Sequence, residues 1–291
     1  MLNKFGIVLE NASLENYNTY GIKAKTKYLV KPDTLENLKE LIKYLQDNKI
    51  SYYILGGGSN VILPDNIFEG VIISLELLKE LKIDDNKVEV QSGIILSKFV
   101  NECINNSLGG LENLALIPGT LGGALYGNAG VGNSCIYDYL ESVTILKNSE
   151  FVTLEKKDIE YSYRNTMFKK SKDIIVSATF KLYKDDLNKM KEAVKENRIK
   201  RINSQPLEFK NAGSVFKNPD GDYAGRLIES IGLKGYIIGG AQVSLKHANF
   251  IVNVNNATSS DIRNLINYIK EKVYNEYKIE LELEQIIVDW K

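Results

Sequence analysis

The segment Asn211-Ala-Gly-Ser-Val-Phe-Lys-Asn-Pro219 carries a hydroxyl, an ammonium and an amide on one stretch shaped by glycine and proline. Ser214 follows Gly213, so little side-chain bulk stands between its hydroxyl and an approaching ligand. Lys217 can answer an anion, and Asn218 can both donate and accept hydrogen bonds. The same residue types also build ordinary surface turns. Far upstream, Gly56-Gly-Gly-Ser-Asn60 can aim its backbone N–H groups at a phosphate, because consecutive glycines reach the left-handed conformations of an anion-binding nest. It is neither of the common nucleotide loops. No Gly-Lys-Ser/Thr is present, and Val61-Ile-Leu63 after it reads as a strand, not as the helix that a dinucleotide fingerprint opens.

A second glycine-dense stretch holds Pro118-Gly119-Thr120, Gly122-Gly123 and Asn128-Ala-Gly130, with almost no charge. Such density means that backbone must approach another backbone or a flat ligand closely. Two such loops suit a large ligand with a pyrophosphate at one end and an apolar ring system at the other, as in a flavin dinucleotide. Tyr163-Arg-Asn-Thr-Met-Phe-Lys169 adds Arg164, whose guanidinium fork fits a carboxylate or phosphate, although a solvated arginine is the commoner fate of that residue type. Near the C-terminus, Ile279, Leu281 and Leu283 alternate with Glu280, Glu282 and Glu284, the pattern of a final strand with one acidic face. Glu284 stands out because Ile286-Ile-Val288 follows it, so the strand is entering the interior. His247 is the single histidine and has no nucleophile pattern around it, so it reads as a structural residue or as one that supports a neighbour of the site.

The elements that must position these groups read as follows. Pro32-Asp-Thr-Leu-Glu-Asn opens a helix, and Leu35, Leu38, Leu41, Ile42 and Leu45 give it one apolar face. Ser51–Leu55, 61–63, 70–74 and 87–91 read as strands, the first running directly into Gly56. A helix covers roughly 97–106, 117–124 reads as a loop, and strands resume at 142–146 and 173–180. A charged helix runs from about 185 to 202, and Thr258-Ser-Ser-Asp261 caps one carrying Ile262, Leu265, Ile266, Ile269 and Val273.

The 291 residues imply two or three modules. Lys+Arg and Asp+Glu both total 37, and this charge balance argues against nucleic acid as a partner and lends nothing to a membrane surface. No run approaches the ~20 apolar residues of a membrane span, and no signal peptide is read at the N-terminus. Cys103 and Cys135 make no disulfide framework, and with one histidine a zinc site is not expected; a reduced, cytoplasmic setting follows.

Taken in order, these motifs resemble the UDP-N-acetylenolpyruvoylglucosamine reductase family nearly end to end. The resemblance runs through Asn18-Thr-Tyr-Gly-Ile22, Leu55-Gly-Gly-Gly-Ser-Asn60, Ile117-Pro-Gly-Thr-Leu-Gly-Gly-Ala124 and Tyr163-Arg164. It continues through Ala212-Gly-Ser-Val-Phe-Lys-Asn-Pro219, Ala224-Gly-Arg-Leu-Ile228, Lys246-His-Ala-Asn-Phe-Ile-Val-Asn253 and Leu281-Glu-Leu-Glu284. The short path from Val243 to Asn256 is similar to the subtype without a tyrosine-bearing loop insertion. The chain departs from the pattern at Val131-Gly-Asn-Ser-Cys135, where the family carries a Tyr-Gly-Gly-Glu-like run. It also departs at Thr166, where serine is usual, and at Lys210-Asn211, where Pro-Ser is common.

The resemblance implies an α+β fold: an FAD-binding domain of the vanillyl-alcohol-oxidase/PCMH type over 1–188, with subdomains at about 1–72 and 73–188, then a substrate-binding domain over 189–291. It implies non-covalent FAD held by Gly56, Gly57, Gly58, Ser59, Asn60, Pro118, Gly119, Thr120, Gly122, Gly123 and Asn128, and no metal. NADPH would reduce the flavin, whose N5 would pass hydride to UDP-N-acetylglucosamine enolpyruvate. Ser214 would supply the proton, Arg164 and Glu284 would stabilise the enolate-like intermediate, and Lys217, Asn218 and Tyr163 would hold the substrate. A cytoplasmic monomer is expected. A flavin oxidase on the same scaffold and a non-catalytic nucleotide-binding module are the alternatives; the first is weakened by the lack of histidine for covalent flavin attachment in the first domain.

Overall fold

A computed structural model describes residues 2–171 and 173–290. The chain divides into two units. The first comprises Met1–Glu10, Tyr28–Gly57 and Glu69–Ile199, and the second Asn11–Lys27, Gly58–Phe68 and Lys200–Lys291.

Among the described residues, two hydrophobic cores lie in the first unit. Leu38, Leu41, Ile42 and Leu45, the apolar face of the helix Leu35–Asp47, pack with Val71 and Ile73 of one strand and with Ile174 and Val176 of another. Thr34 caps this helix, its hydroxyl accepting from Asn37 N at 3.0 Å. Tyr52–Ile54 runs parallel to Ile67–Ile73, Tyr52 opposite Val71 and Ile54 opposite Ile73, and so delivers the chain to Gly56. These two strands end a four-stranded sheet that continues through Lys25–Lys31 to Ile7–Ser13.

The second core is built on an antiparallel sheet ordered Glu150–Glu155, Leu140–Lys147, Ile174–Lys181, Lys87–Gln91 and Leu81–Asp84. Its inward residues Val88, Val90, Val143, Ile145 and Phe180 meet Phe99 and Val100 of the helix Leu96–Asn105. The hairpin from Lys147 to Glu150 turns on Asn148 and Ser149, both at positive φ, as a tight two-residue hairpin loop requires.

One expected loop is a helix. Residues 117–124 contain the first half of Leu121–Gly127, started by Thr120, whose hydroxyl accepts from Gly123 N, and stopped by Asn128 in the left-handed conformation. A threonine N-cap and a left-handed asparagine supply the end signals, so the interior glycines cost the helix its strength but not its existence.

In the second unit the helix Ser259–Tyr277 begins with a capping box: the Thr258 hydroxyl accepts from Asp261 N, and the Asp261 carboxylate accepts from Thr258 N. Its apolar face, Ile262, Leu265, Ile266, Ile269 and Val273, is buried. The expected final strand over 279–285 is not one. Its backbone bonds go instead to the loop holding Ser214, through a single bridge from Leu283 to Phe216, and only Ile286–Ile287 form a strand, parallel to Val61–Ile62. Among the described residues no helix is long and apolar enough to cross a membrane.

Candidate active site

The first unit holds Gly56 and Gly57, the glycine-dense stretch over 118–130 and Arg164. Gly56 and Gly57 face the second loop so closely that a Cβ on Gly57 would lie 2.6 Å from Gly119 Cα, and one on Gly56 2.9 Å from Thr120 Oγ1. Glycine is demanded here by backbone meeting backbone. The N–H groups of Gly56 and Gly57 donate to no acceptor among the described residues. Two adjacent unsatisfied donors on consecutive glycines suit an anion, as in a backbone nest. Beside the second loop, Ser92 Oγ and Asn128 Oδ1 are buried without a hydrogen-bond partner among the described residues. Buried polar atoms without partners are uncommon and mark a place where a further group completes them. The chain's donors and acceptors thus fit a ligand with a phosphate bridge and a polar ring edge, as FAD has.

Arg164 sits at the second position of a two-residue turn between the paired strands Tyr161–Ser162 and Asn165–Thr166. Its φ is 56°, left-handed, at a place where glycine or asparagine is usual. Lys169 Nζ donates to the Arg164 carbonyl at 2.7 Å and so steadies that backbone. The guanidinium donates to Gly130 O at 2.8 Å and lies 5.0 Å from the exposed Tyr163 ring. Asn128 joins the same corner, its Nδ2 donating to Ser162 O at 2.8 Å, and the Thr166 hydroxyl donates to Tyr126 O at 2.8 Å. The segment that departs from the family pattern folds as a small hairpin, Val131 opposite Ser134 and Gly130 opposite Cys135.

The second unit brings Ser214 and Glu284 together. Asn211 builds the turn before Ser214, accepting from Gly213 N at 3.0 Å and donating to Phe209 O at 2.8 Å. Gly213 takes φ +76°, so the glycine is required by the turn. Ser214 is half-buried and its hydroxyl makes no hydrogen bond among the described residues. Just beyond it the two segments lock: Glu284 N donates to Val215 O at 2.9 Å, and Lys217 N to Glu282 O at 2.9 Å. Asn60, of the same unit, donates through Nδ2 to the Glu284 carbonyl at 3.1 Å and so also fixes the Glu284 backbone.

Lys217 is not a solitary cation, because its Nζ lies 2.5 Å from Glu282 Oε1. Asn218 is exposed and accepts from Ala224 N at 3.2 Å, satisfying the first turn of the helix Ala224–Ser230. Three groups to which the sequence assigned no role hold the backbone around Ser214. Asn249, 4% exposed, grips Phe216 through both ends of its amide, at 3.0 and 2.8 Å, and accepts from Val215 N. Gln285, next to Glu284, bonds the carbonyls just before Ser214, and the buried Tyr20 bonds Gln285. His247 Nδ1 accepts from Asn249 N at 3.2 Å, the structural role expected of it. Among the described residues no cluster of His, Cys, Asp and Glu could hold a metal ion.

Comparison with known proteins bears on both units. Residues 205–288 match the family model of the UDP-N-acetylenolpyruvoylglucosamine reductase C-terminal domain, and 26–153 that of an FAD-binding domain. The UDP-N-acetylenolpyruvoylglucosamine reductase of Clostridium tetani is 38% identical over 97% of this chain and 92% of its own length. That of Prochlorococcus marinus is 38% identical over 94% and 96%. The crystal structure of UDP-N-acetylenolpyruvylglucosamine reductase from Thermus caldophilus superposes with a TM-score of 0.82 at 31% identity, covering 97% of this chain and 98% of that one.

Proposed function

Because the chain belongs to the UDP-N-acetylenolpyruvoylglucosamine reductase family, we propose that it reduces UDP-N-acetylglucosamine enolpyruvate to UDP-N-acetylmuramate at the expense of NADPH. The reading includes non-covalent FAD, action on a peptidoglycan precursor, and a monomer working in the cytoplasm. What bound FAD supplies is two-electron chemistry between NADPH and the enol-ether double bond of the substrate.

The residues of this chain do the rest. The substrate double bond is conjugated with a carboxylate, so hydride addition at the terminal methylene carbon drives negative charge onto that carboxylate. Arg164, as a fixed guanidinium fork, and the Glu284 carboxyl stabilise the charge. Ser214 then gives its proton to the carbon next to the carboxylate and recovers one from solvent, so substrate, NADPH and one proton become product and NADP+. A serine hydroxyl is a poor acid in water, but the carbanion-like intermediate is strongly basic and the proton is delivered in place. Lys217, Asn218 and Tyr163 hold the substrate, and the loops at 56–60 and 118–123, with Asn128, hold the flavin. The protein contributes orientation and electrostatics to a reaction whose redox step belongs to the cofactor.

The observation that carries this reading is the pairing of the Ser214 turn with the Glu284 segment, far apart in sequence and joined by the Glu284 N to Val215 O bond of 2.9 Å. An anaerobic stopped-flow pair tests it. NADPH should bleach the flavin, and UDP-N-acetylglucosamine enolpyruvate should restore its colour rapidly. Recovery only on admitting oxygen would indicate an oxidase, and absence of flavin after reconstitution would indicate a non-catalytic scaffold.

A further inference from the structure

Gln285 is 3% exposed and Tyr20 fully buried, yet both side chains are polar. Gln285 Nε2 donates to Ala212 O at 3.0 Å and to Gly213 O at 3.2 Å, the two carbonyls immediately before Ser214. Its Oε1 accepts from the Tyr20 hydroxyl at 3.0 Å. Carbonyls only accept, so the amide nitrogen must face them and the oxygen must face Tyr20, which must donate. Burial pushes the Tyr20 phenol above its ordinary range, so it keeps that proton at any physiological pH. Tyr20 is itself anchored, its carbonyl accepting from Asn253 Nδ2 at 2.8 Å.

The placement matters because Gln285 adjoins Glu284 in sequence and grips the chain just upstream of Ser214. Asn249 already holds the downstream side through Phe216 and Val215. The backbone on both sides of Ser214 is therefore held, and the upstream hold comes from the residue next to Glu284 in sequence. We propose that Gln285 is a positioning residue of the reaction: through its bonds to Ala212 and Gly213, oriented by Tyr20, it sets the Ser214 hydroxyl in register with Glu284. This inference rests on the proposed roles of Ser214 and Glu284.

A buried glutamine with a purely structural role would slow everything or nothing when lost. Gln285→Met keeps length and burial but abolishes all three hydrogen bonds, and Tyr20→Phe removes one. In holoenzyme carrying either change, flavin bleaching by NADPH should proceed at the parent rate. Colour recovery by substrate should slow roughly 10- to 100-fold in Gln285→Met, as a small misplacement of a reacting group does, and less in Tyr20→Phe. In a Ser214→Ala background Gln285→Met should add nothing, since it acts through the group already removed. Hydrogen exchange should quicken in a peptide spanning 212–217 and stay unchanged in the helix Ser259–Tyr277. Equal slowing of both half-reactions, or losses that multiply in the double variant, would overturn the inference. If Gln285→Met does not fold, Tyr20→Phe decides by the same comparisons. Slow recovery in Ser214→Ala with parent-like recovery in Gln285→Met would refute this inference alone, whereas fast recovery in Ser214→Ala would remove the proton donor and the positioning role together.

Discussion

Arg164 combines a left-handed φ of 56° with a carbonyl held by Lys169 and a guanidinium held by Gly130 O. A non-glycine residue in that region costs on the order of 1 kcal/mol or more and persists where its surroundings impose it, often at functional sites. Arg164→Lys keeps the charge but loses the planar fork. It should leave flavin reduction by NADPH near the parent rate and slow reoxidation by substrate about tenfold or more, as loss of a preorganised donor to developing charge does. The two glutamates of Leu281-Glu-Leu-Glu284 make a sharper comparison. Glu282 is exposed and salt-bridged to Lys217, whereas Glu284 is half-buried and tied by its backbone to Val215 and Asn60. Glu284→Gln should damage the second half-reaction more than Glu282→Gln. The reverse order in single-turnover reoxidation would assign the acidic role two residues upstream.

At the scale of elements, local signals read well where local chemistry decides. Thr258 and Asp261 give a capping box visible in four letters, and the leucine spacing of Leu35–Asp47 defines its buried face. The helix Leu121–Gly127 was obscured because its glycines suggest a loop, although Thr120 and Asn128 are good end signals. The segment 279–285 alternates like a strand, but alternation records which side is buried, not which partner accepts the backbone bonds. That same alternation places Gln285 on the parity of Ile279, Leu281 and Leu283, so an amide standing on an apolar face was a legible sign of a buried polar contact. Its partners at Tyr20, Ala212 and Gly213 depend on tertiary structure and were not legible.

The start of Ser259–Tyr277 offers a stability test. The Asp65 carboxylate accepts from Ser259 N at 2.7 Å and from Ser260 N at 3.1 Å, two donors the helix cannot satisfy itself. Asp65→Ala should cost roughly 1 kcal/mol. A lower urea midpoint with an unchanged slope would report this, and an unshifted midpoint would show that the cap adds nothing.

For the molecule as a whole, two features govern cofactor retention and pH response. Gly57→Ala would drive a methyl to 2.6 Å from Gly119 Cα within the first unit. The purified variant should carry less flavin than the parent while keeping its circular dichroism; full flavin occupancy would mean that the loops can part without consequence. Burial, with some help from Lys234, lowers the pKa of His247 and keeps its imidazole neutral as the acceptor of Asn249 N. Above the unfolded value of about 6.5 both states are neutral and the group is silent. As pH falls below it the unfolded chain takes up the proton first, so stability drops until the folded value is reached. His247→Gln should flatten the fall in melting temperature between about pH 7 and pH 5; a slope equal to the parent's would place the effect elsewhere.

The most direct test of the central claim is to separate the half-reactions of Ser214→Ala under anaerobic conditions. The account predicts flavin reduction by NADPH close to the parent rate and reoxidation by UDP-N-acetylglucosamine enolpyruvate slower by about two orders of magnitude or more, the scale of a positioned proton donor. Reoxidation at the parent rate, or an equal loss in both half-reactions, would contradict it.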